Sequence, residues 1–94
     1  MLKSTFEKVV RKLPVKFKGF EDYKSCCDDE EVIKFYKSLE GSEGTITGVA
    51  IDEDYDDGLP FEDNFDSSYF DCKIFTDGKT YTLYGISGSA LEVL

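Results

Sequence analysis

Ninety-four residues make a single small domain, with little room for a deep catalytic cleft beside its core. Eight Phe and six Tyr supply that core without help from disulfides or metals. Eleven basic against twenty acidic residues leave a net charge of −9, which repels DNA, RNA and anionic membranes over roughly 8 Å at physiological salt. Direct nucleic-acid binding through a basic face is therefore not expected, nor is a membrane partner.

The charge is uneven. Residues 1–24 hold seven bases and three acids, whereas residues 25–94 hold four bases and seventeen acids. Three cysteines, Cys26, Cys27 and Cys72, do not make the even framework of a secreted disulfide protein. No long apolar run follows Lys3 and Lys8, and no segment approaches the ~20 apolar residues of a membrane span. The expectation is a reduced intracellular protein of the cytoplasm, the host cytoplasm if it is phage-encoded.

In chain order, residues 2–13 place Leu2, Phe6, Val9, Val10 and Leu13 on one face and Lys3, Glu7, Lys8, Arg11 and Lys12 on the other. That spacing predicts an amphipathic helix packed on its own domain, ended by Pro14. Residues 15–20, VKFKGF, fit either a short strand or an extended linker. Residues 28–40, DDEEVIKFYKSLE, are ambiguous. Val32, Phe35, Tyr36 and Leu39 fit a second helix that starts on acids and stops at Gly41, but VIKFY also reads as a strand. Propensity favours the helix.

From Gly44 the pattern is β. In TITGVAID the apolar phase changes near Gly48, which predicts a bulge or bend there. In YFDCKIFTDGKTYTLYGI, Asp77-Gly78 predicts a two-residue type I′ hairpin. It pairs Thr76 with Lys79, Ile74 with Tyr81 and Cys72 with Leu83. Phe70, Cys72, Ile74, Tyr81 and Leu83 then face the core, and Asp71, Lys73, Phe75, Thr80, Thr82 and Tyr84 face away. ISGSA reads as a turn and LEVL as a closing strand. The fold class is α+β: an N-terminal amphipathic helix, then a small antiparallel barrel or meander. Residues 1–28 form the helix and connector and 29–94 a β-rich acidic core, within one domain, 1–94.

Gly41, Gly44 and Ile46 form a Gly-x-x-Gly-x-Ile stretch. With the tight hairpin and the short turn before LEVL, they make residues 30–94 resemble a small SH3-like barrel of the KOW or Tudor-like type. The resemblance is architectural and implies a fold only, because such barrels host many functions. A helix at 28–40 would remove the first barrel strand and leave a helix pair on a meander.

The chain contains no His, which excludes Ser-His-Asp and Cys-His catalysis and the usual zinc sites. No phosphate loop or dinucleotide fingerprint is present. Gly85-Ile86-Ser87-Gly88-Ser89 has Ser where a nucleophile elbow needs Gly, and no base. Asp52, Asp54 and Asp56 begin like an EF-hand loop. The frame fails at Asp57, where Gly is required, at Pro60, and at Asp63, where a bidentate Glu belongs. Of Cys26 and Cys27, one buried and one exposed free thiol is expected, and Cys72 reads as a small core residue. No catalytic residue, metal or cofactor is expected, and the protein is not read as an enzyme.

The unusual stretch is 52–66, DEDYDDGLPFEDNFD. Eight of its fifteen residues are acidic and none is basic, and Tyr55, Leu59, Phe61 and Phe65 punctuate the acids. Solvating tails lack such residues, whereas docking surfaces use them as anchors. Fully extended, its eight charges spread over about 50 Å, roughly half the linear charge density of one DNA strand. Folding, with Asp28, Asp29, Glu30, Glu31 and Asp71 nearby, would close that gap.

The sequence therefore points to a non-enzymatic nucleic-acid mimic that docks on the basic, nucleic-acid-binding surface of a partner protein and inhibits it. Small acidic phage inhibitors of restriction, CRISPR or repair enzymes work in this way as a class. The expected contact residues are Asp52, Glu53, Asp54, Asp56, Asp57, Phe61, Glu62, Asp63, Phe65 and Asp66. The competing reading is an SH3-like regulatory module that binds a peptide or protein through Phe75, Tyr84 and their neighbours.

Overall fold

A computed structural model describes residues 1–94, apart from the side chain of Cys26. Helix α1 (Lys3–Val10) leads into strand β1 (Pro14–Phe17), a single helical turn α2 (Tyr23–Cys26) and helix α3 (Glu30–Leu39). Strand β2 (Glu43–Ala50), helix α4 (Phe61–Ser67) and strands β3 (Tyr69–Thr76) and β4 (Lys79–Ser87) follow. A 3₁₀ turn (Gly88–Ala90) then delivers the last strand, β5 (Leu91–Val93). The strands form a five-stranded antiparallel sheet in the order β4-β3-β2-β1-β5, so the fold is α+β with an N-terminal helix.

Helix α1 buries Phe6 and Val10. It stops three residues short of the predicted end because Leu13 precedes a proline and is pushed out of the helical region. The first half of VKFKGF resolves as strand and the second half does not: β1 lies inside the sheet between β2 and β5, with Val15 and Phe17 wholly buried. Pro14 is tolerated because it opens the strand, where its missing N–H breaks no ladder bond. Its carbonyl accepts the Leu94 N–H at 3.0 Å.

The ambiguous segment is helical. Asp29 caps α3 by accepting the Glu31 N–H at 2.9 Å, and Glu30 and Glu31 occupy the first turn, where the helix dipole favours negative charge. Gly41, at φ +84°, takes the left-handed conformation that turns the chain away. The loss of a first strand expected from a helix here does not follow, because Pro14–Phe17 already supplies an interior strand upstream of it.

The β pattern is close to the reading, with two differences: Tyr81, expected in the core, is only half-buried, and Ile86 and Ser87, expected in the turn, extend β4. The β2–β3 register shifts between Ile46 and Gly48, at the predicted bend. The hairpin pairs Thr76 with Lys79, Ile74 with Tyr81 and Cys72 with Leu83. Asp77 and Gly78 have φ of 51° and 73°, the two positive values that a type I′ turn requires. Phe70, Cys72, Ile74 and Leu83 are buried, and Phe75 and Tyr84 are exposed on the other face. A second irregularity, between Phe70 and Cys72, was not legible in the sequence. There the Asp71 carboxylate accepts the Gly85 N–H at 3.0 Å, supplying the partner that the broken ladder withholds.

One core joins these elements. It contains Phe6 and Val10 from α1, Leu39 from α3, Phe65 from α4 and inward residues from every strand. Each large side chain moved from water into it contributes roughly 1.5–3 kcal/mol. Cys72 sits at its centre, paired across the sheet with Ile46 and Leu83. Burial, and then the nearby charge of Asp71, push its thiol up from about 9 to about 11.

Candidate acidic interface

The acidic stretch is ordered, and its second half is a helix. FEDNFDS is a poor helix on local grounds: Pro60 stands at the N-cap and offers no capping side chain. Tertiary packing holds it instead. Phe61 lies 5.4 Å from Phe6 between ring centroids, and Phe65 stacks on Phe70 at 4.7 Å.

The first half, residues 52–60, is a run of turns. The Tyr55 N–H donates to the Asp52 carbonyl and the Leu59 N–H to the Asp56 carbonyl, each at 3.1 Å. The Gly58 N–H donates to the Asp56 carboxylate at 2.8 Å. Asn64, buried in α4, clamps these turns to the helix. Its amide donates to the Asp56 carbonyl at 2.9 Å, and its Oδ1 accepts the Asp56 N–H at 3.4 Å. Tyr55 packs edge-on against Phe6 and donates its hydroxyl hydrogen to the Met1 carbonyl. Desolvation, and then the Asp57 charge, raise the pKa of that phenol.

The predicted contact residues therefore divide into two sets. Glu53, Asp54, Asp56, Asp57, Glu62, Asp63 and Asp66 are exposed and Asp52 is half-buried, so the carboxylates line the surface as expected. Phe65, only 3% exposed, and Phe61, packed on Phe6, face inward. Phe65 thus attaches the acidic stretch to the core, and half-buried Phe61 does so in part while keeping some of its ring at the surface. Leu59 alone among the interleaved apolar residues stays exposed.

Neutralisation is nearly absent. Among the described residues the single ion pair is Glu7–Arg11, at 3.1 Å within α1, and it involves none of the eight acids. Lys3, on the same helix, lies over the Tyr55 ring at 5.9 Å. Nor do the acids converge: among the described residues no group of three or more Asp, Glu or Cys could hold a metal ion.

Helix α4 also concentrates charge. Glu62, Asp63 and Asp66 fall within about 6 Å of helix axis at ~1.5 Å per residue. That is about one charge per 3 Å, close to the ~3.4 Å per phosphate of a DNA strand. Glu62 and Asp66, one turn apart, repel by roughly 0.2–0.5 kcal/mol.

The competing aromatic face is less continuous than the alternation suggests. Phe75 and Tyr84 are 49% and 73% exposed. Phe75, however, lies opposite Thr80, four residues and about 13 Å of strand from Tyr84. No protein-family model, curated protein or solved structure matches the chain. Among the described residues no helix is long and apolar enough to cross a membrane.

Proposed function

We propose that the protein is a non-enzymatic acidic inhibitor that occupies the basic, nucleic-acid-binding surface of a partner protein as a nucleic-acid mimic. One observation carries this reading. Eight carboxylates lie on an ordered segment, in no ion pair, with the interleaved aromatic rings turned inward to hold them. A pre-ordered array of charge loses little conformational entropy on docking, and its desolvation is offset only by a concentrated positive field. The cytoplasm, where enzymes acting on nucleic acids work, is the setting this reading implies, and a phage-encoded inhibitor of restriction or CRISPR enzymes is the kind of protein it describes. The SH3-like architecture remains part of the proposal, supported by the type I′ hairpin and by the 3₁₀ turn before the last strand.

The test compares the wild-type chain with a variant carrying Asp52→Asn, Glu53→Gln, Asp54→Asn, Asp56→Asn and Asp57→Asn. The variant should fold, since exposed changes alter stability within about 0.5 kcal/mol each, Asn at position 56 can still accept the Gly58 N–H, and Asp52 is only half-buried. A partner captured from host lysate by the wild type should be lost by the variant. The purified partner should also lose its nucleic-acid binding when the wild-type chain is added, less so as salt rises from about 50 to 200 mM. Equal capture by both chains, or undisturbed nucleic-acid binding by the captured partner, would refute the reading.

A further inference from the structure

A second feature of the surface is unused by this reading. Between residues 19–27 and the far end of β4 lies a cleft of about 600 Å³, within the range of ligand-binding sites. Phe20 and Tyr36 line it from one side, and Tyr69 and Tyr84 from the strands. Phe20 is fixed by ring contacts with Phe17, Tyr23 and Tyr36 at 5.6, 5.5 and 5.3 Å. Tyr69, at 51% exposure, and the still more open Tyr84 leave aromatic surface in water that the rest of the chain does not cover.

The charge of the cleft has one sign. Glu21 and Asp22 line it, and no Lys or Arg does. Asp22 caps α2, accepting the Ser25 hydroxyl at 2.7 Å and the Lys24 N–H at 3.0 Å. Those bonds, that of the Ser25 hydroxyl first, lower its pKa and keep it ionised. Glu21 is exposed and has no hydrogen bond or ion pair among the described residues. Aromatic faces beside a carboxylate in a concavity favour a cation with a flat, weakly hydrated head. Guanidinium meets that description better than ammonium, because it stacks on rings and presents a fork of N–H donors to a carboxylate.

We propose that this cleft receives an arginine side chain of a partner protein, its guanidinium against Tyr69 and Tyr84 and its N–H groups directed at Glu21. The proposal does not rest on the acidic stretch, although the two surfaces meet. The Ser87 hydroxyl, on the cleft rim, donates to the Asp66 carbonyl at 3.2 Å. The two surfaces therefore adjoin at this point.

The test is a titration of the full ¹⁵N-labelled chain, followed by amide chemical shifts, with the blocked tripeptide acetyl-Gly-Arg-Gly-amide. The citrulline tripeptide, which keeps the shape and removes the charge, is the control. Saturable shifts are expected at Glu21, Asp22, Tyr69, Tyr84 and Gly85, at least tenfold weaker with citrulline. Tyr84→Ala should weaken binding about three- to tenfold, as the loss of a partly exposed cation–ring contact does, and Glu21→Gln should weaken it independently. Tyr84 is exposed, so its variant should keep the wild-type spectrum elsewhere. No saturable shift in the cleft overturns the proposal. So do equal responses to the two tripeptides, or shifts confined to residues 52–66. Loss of the acidic-stretch function in the five-site variant with the tripeptide response intact would leave the cleft standing on its own.

Discussion

Two aromatic clusters lie on the same sheet and are used in opposite ways. Phe6, Tyr55, Phe61, Phe65 and Phe70 form a chain of ring contacts beneath the acidic stretch. Phe17, Phe20, Tyr23, Phe35, Tyr36 and Tyr81 form another around α3 and the cleft. In the first cluster Phe6, Phe65 and Phe70 are buried, Tyr55 and Phe61 are half-buried, and the surface above is dominated by carboxylates. In the second, Phe17 alone is buried; Phe20 and Tyr36 are half-exposed and Phe35 is exposed. The difference separates two tasks that hydrophobic residues perform beside acids. Turned inward, they fix where carboxylates stand. Left outward, they stay open to water, where the proposed arginine would meet them.

The strongest way to break this contrast is to truncate one ring in each cluster. Phe65→Ala removes a buried, stacked ring and should destabilise the fold by about 3–5 kcal/mol in chemical denaturation. Phe35→Ala, on an exposed ring, should cost less than about 1.5 kcal/mol. Similar losses at both positions would erase the distinction.

A pH ramp tests whether the clusters share one cooperative core. The Cys72 thiol is raised from about 9 to about 11 in the folded chain. The folded state therefore holds that proton more tightly than the unfolded state. Its contribution, about 2–3 kcal/mol for a two-unit shift, is complete below pH 9 and is lost as pH rises through 11. Wild-type stability should fall over that window, with both clusters melting together. In Cys72→Ala that part of the decline should be missing. A decline that Cys72→Ala leaves unchanged would assign it to the tyrosines.

A smaller effect sharpens the contrast on one side only. Asn64→Ala removes the clamp on Asp56, two part-buried hydrogen bonds worth roughly 0.5–1.5 kcal/mol each. Amide hydrogen exchange should accelerate at residues 52–60 while Phe20 and Tyr36 keep their protection. Uniform acceleration would mean that Asn64 supports the whole fold.

What was legible in the sequence was local. The hairpin follows from Asp77-Gly78 and strict alternation and the bend in β2 from a phase change at Gly48, while α3, open between helix and strand, was favoured only by propensity, the acids of its first turn and Gly41. What was hidden depended on distant partners. FEDNFDS has no cap and weak helix propensity, so α4 exists because Phe6 and Phe70 meet its rings. For the same reason Phe61 and Phe65 read as outward anchors: alternation with acids says which residues are apolar and not which way a loop will turn them. Within VKFKGF, Gly19 obscured an interior strand, and the cleft joins Phe20 to Tyr84 across more than half the chain. The placement of the eight carboxylates at the surface was readable, because nothing basic lies near them in sequence and burial of so many like charges is prohibitive.

The position of β4 at the margin of the sheet has a consequence for the protein in bulk solution. Its nine residues pair only with β3, so the other side presents open N–H and C=O groups to any strand that approaches. A single Lys at its start and the kink at Gly85 are modest protection. The larger safeguard is mutual repulsion between molecules of net charge −9, which keeps two such margins from meeting. That safeguard vanishes near the isoelectric point of about 4.3. Concentrated samples acidified to that pH should therefore grow ribbons of laterally joined sheets, with β4 as the seam.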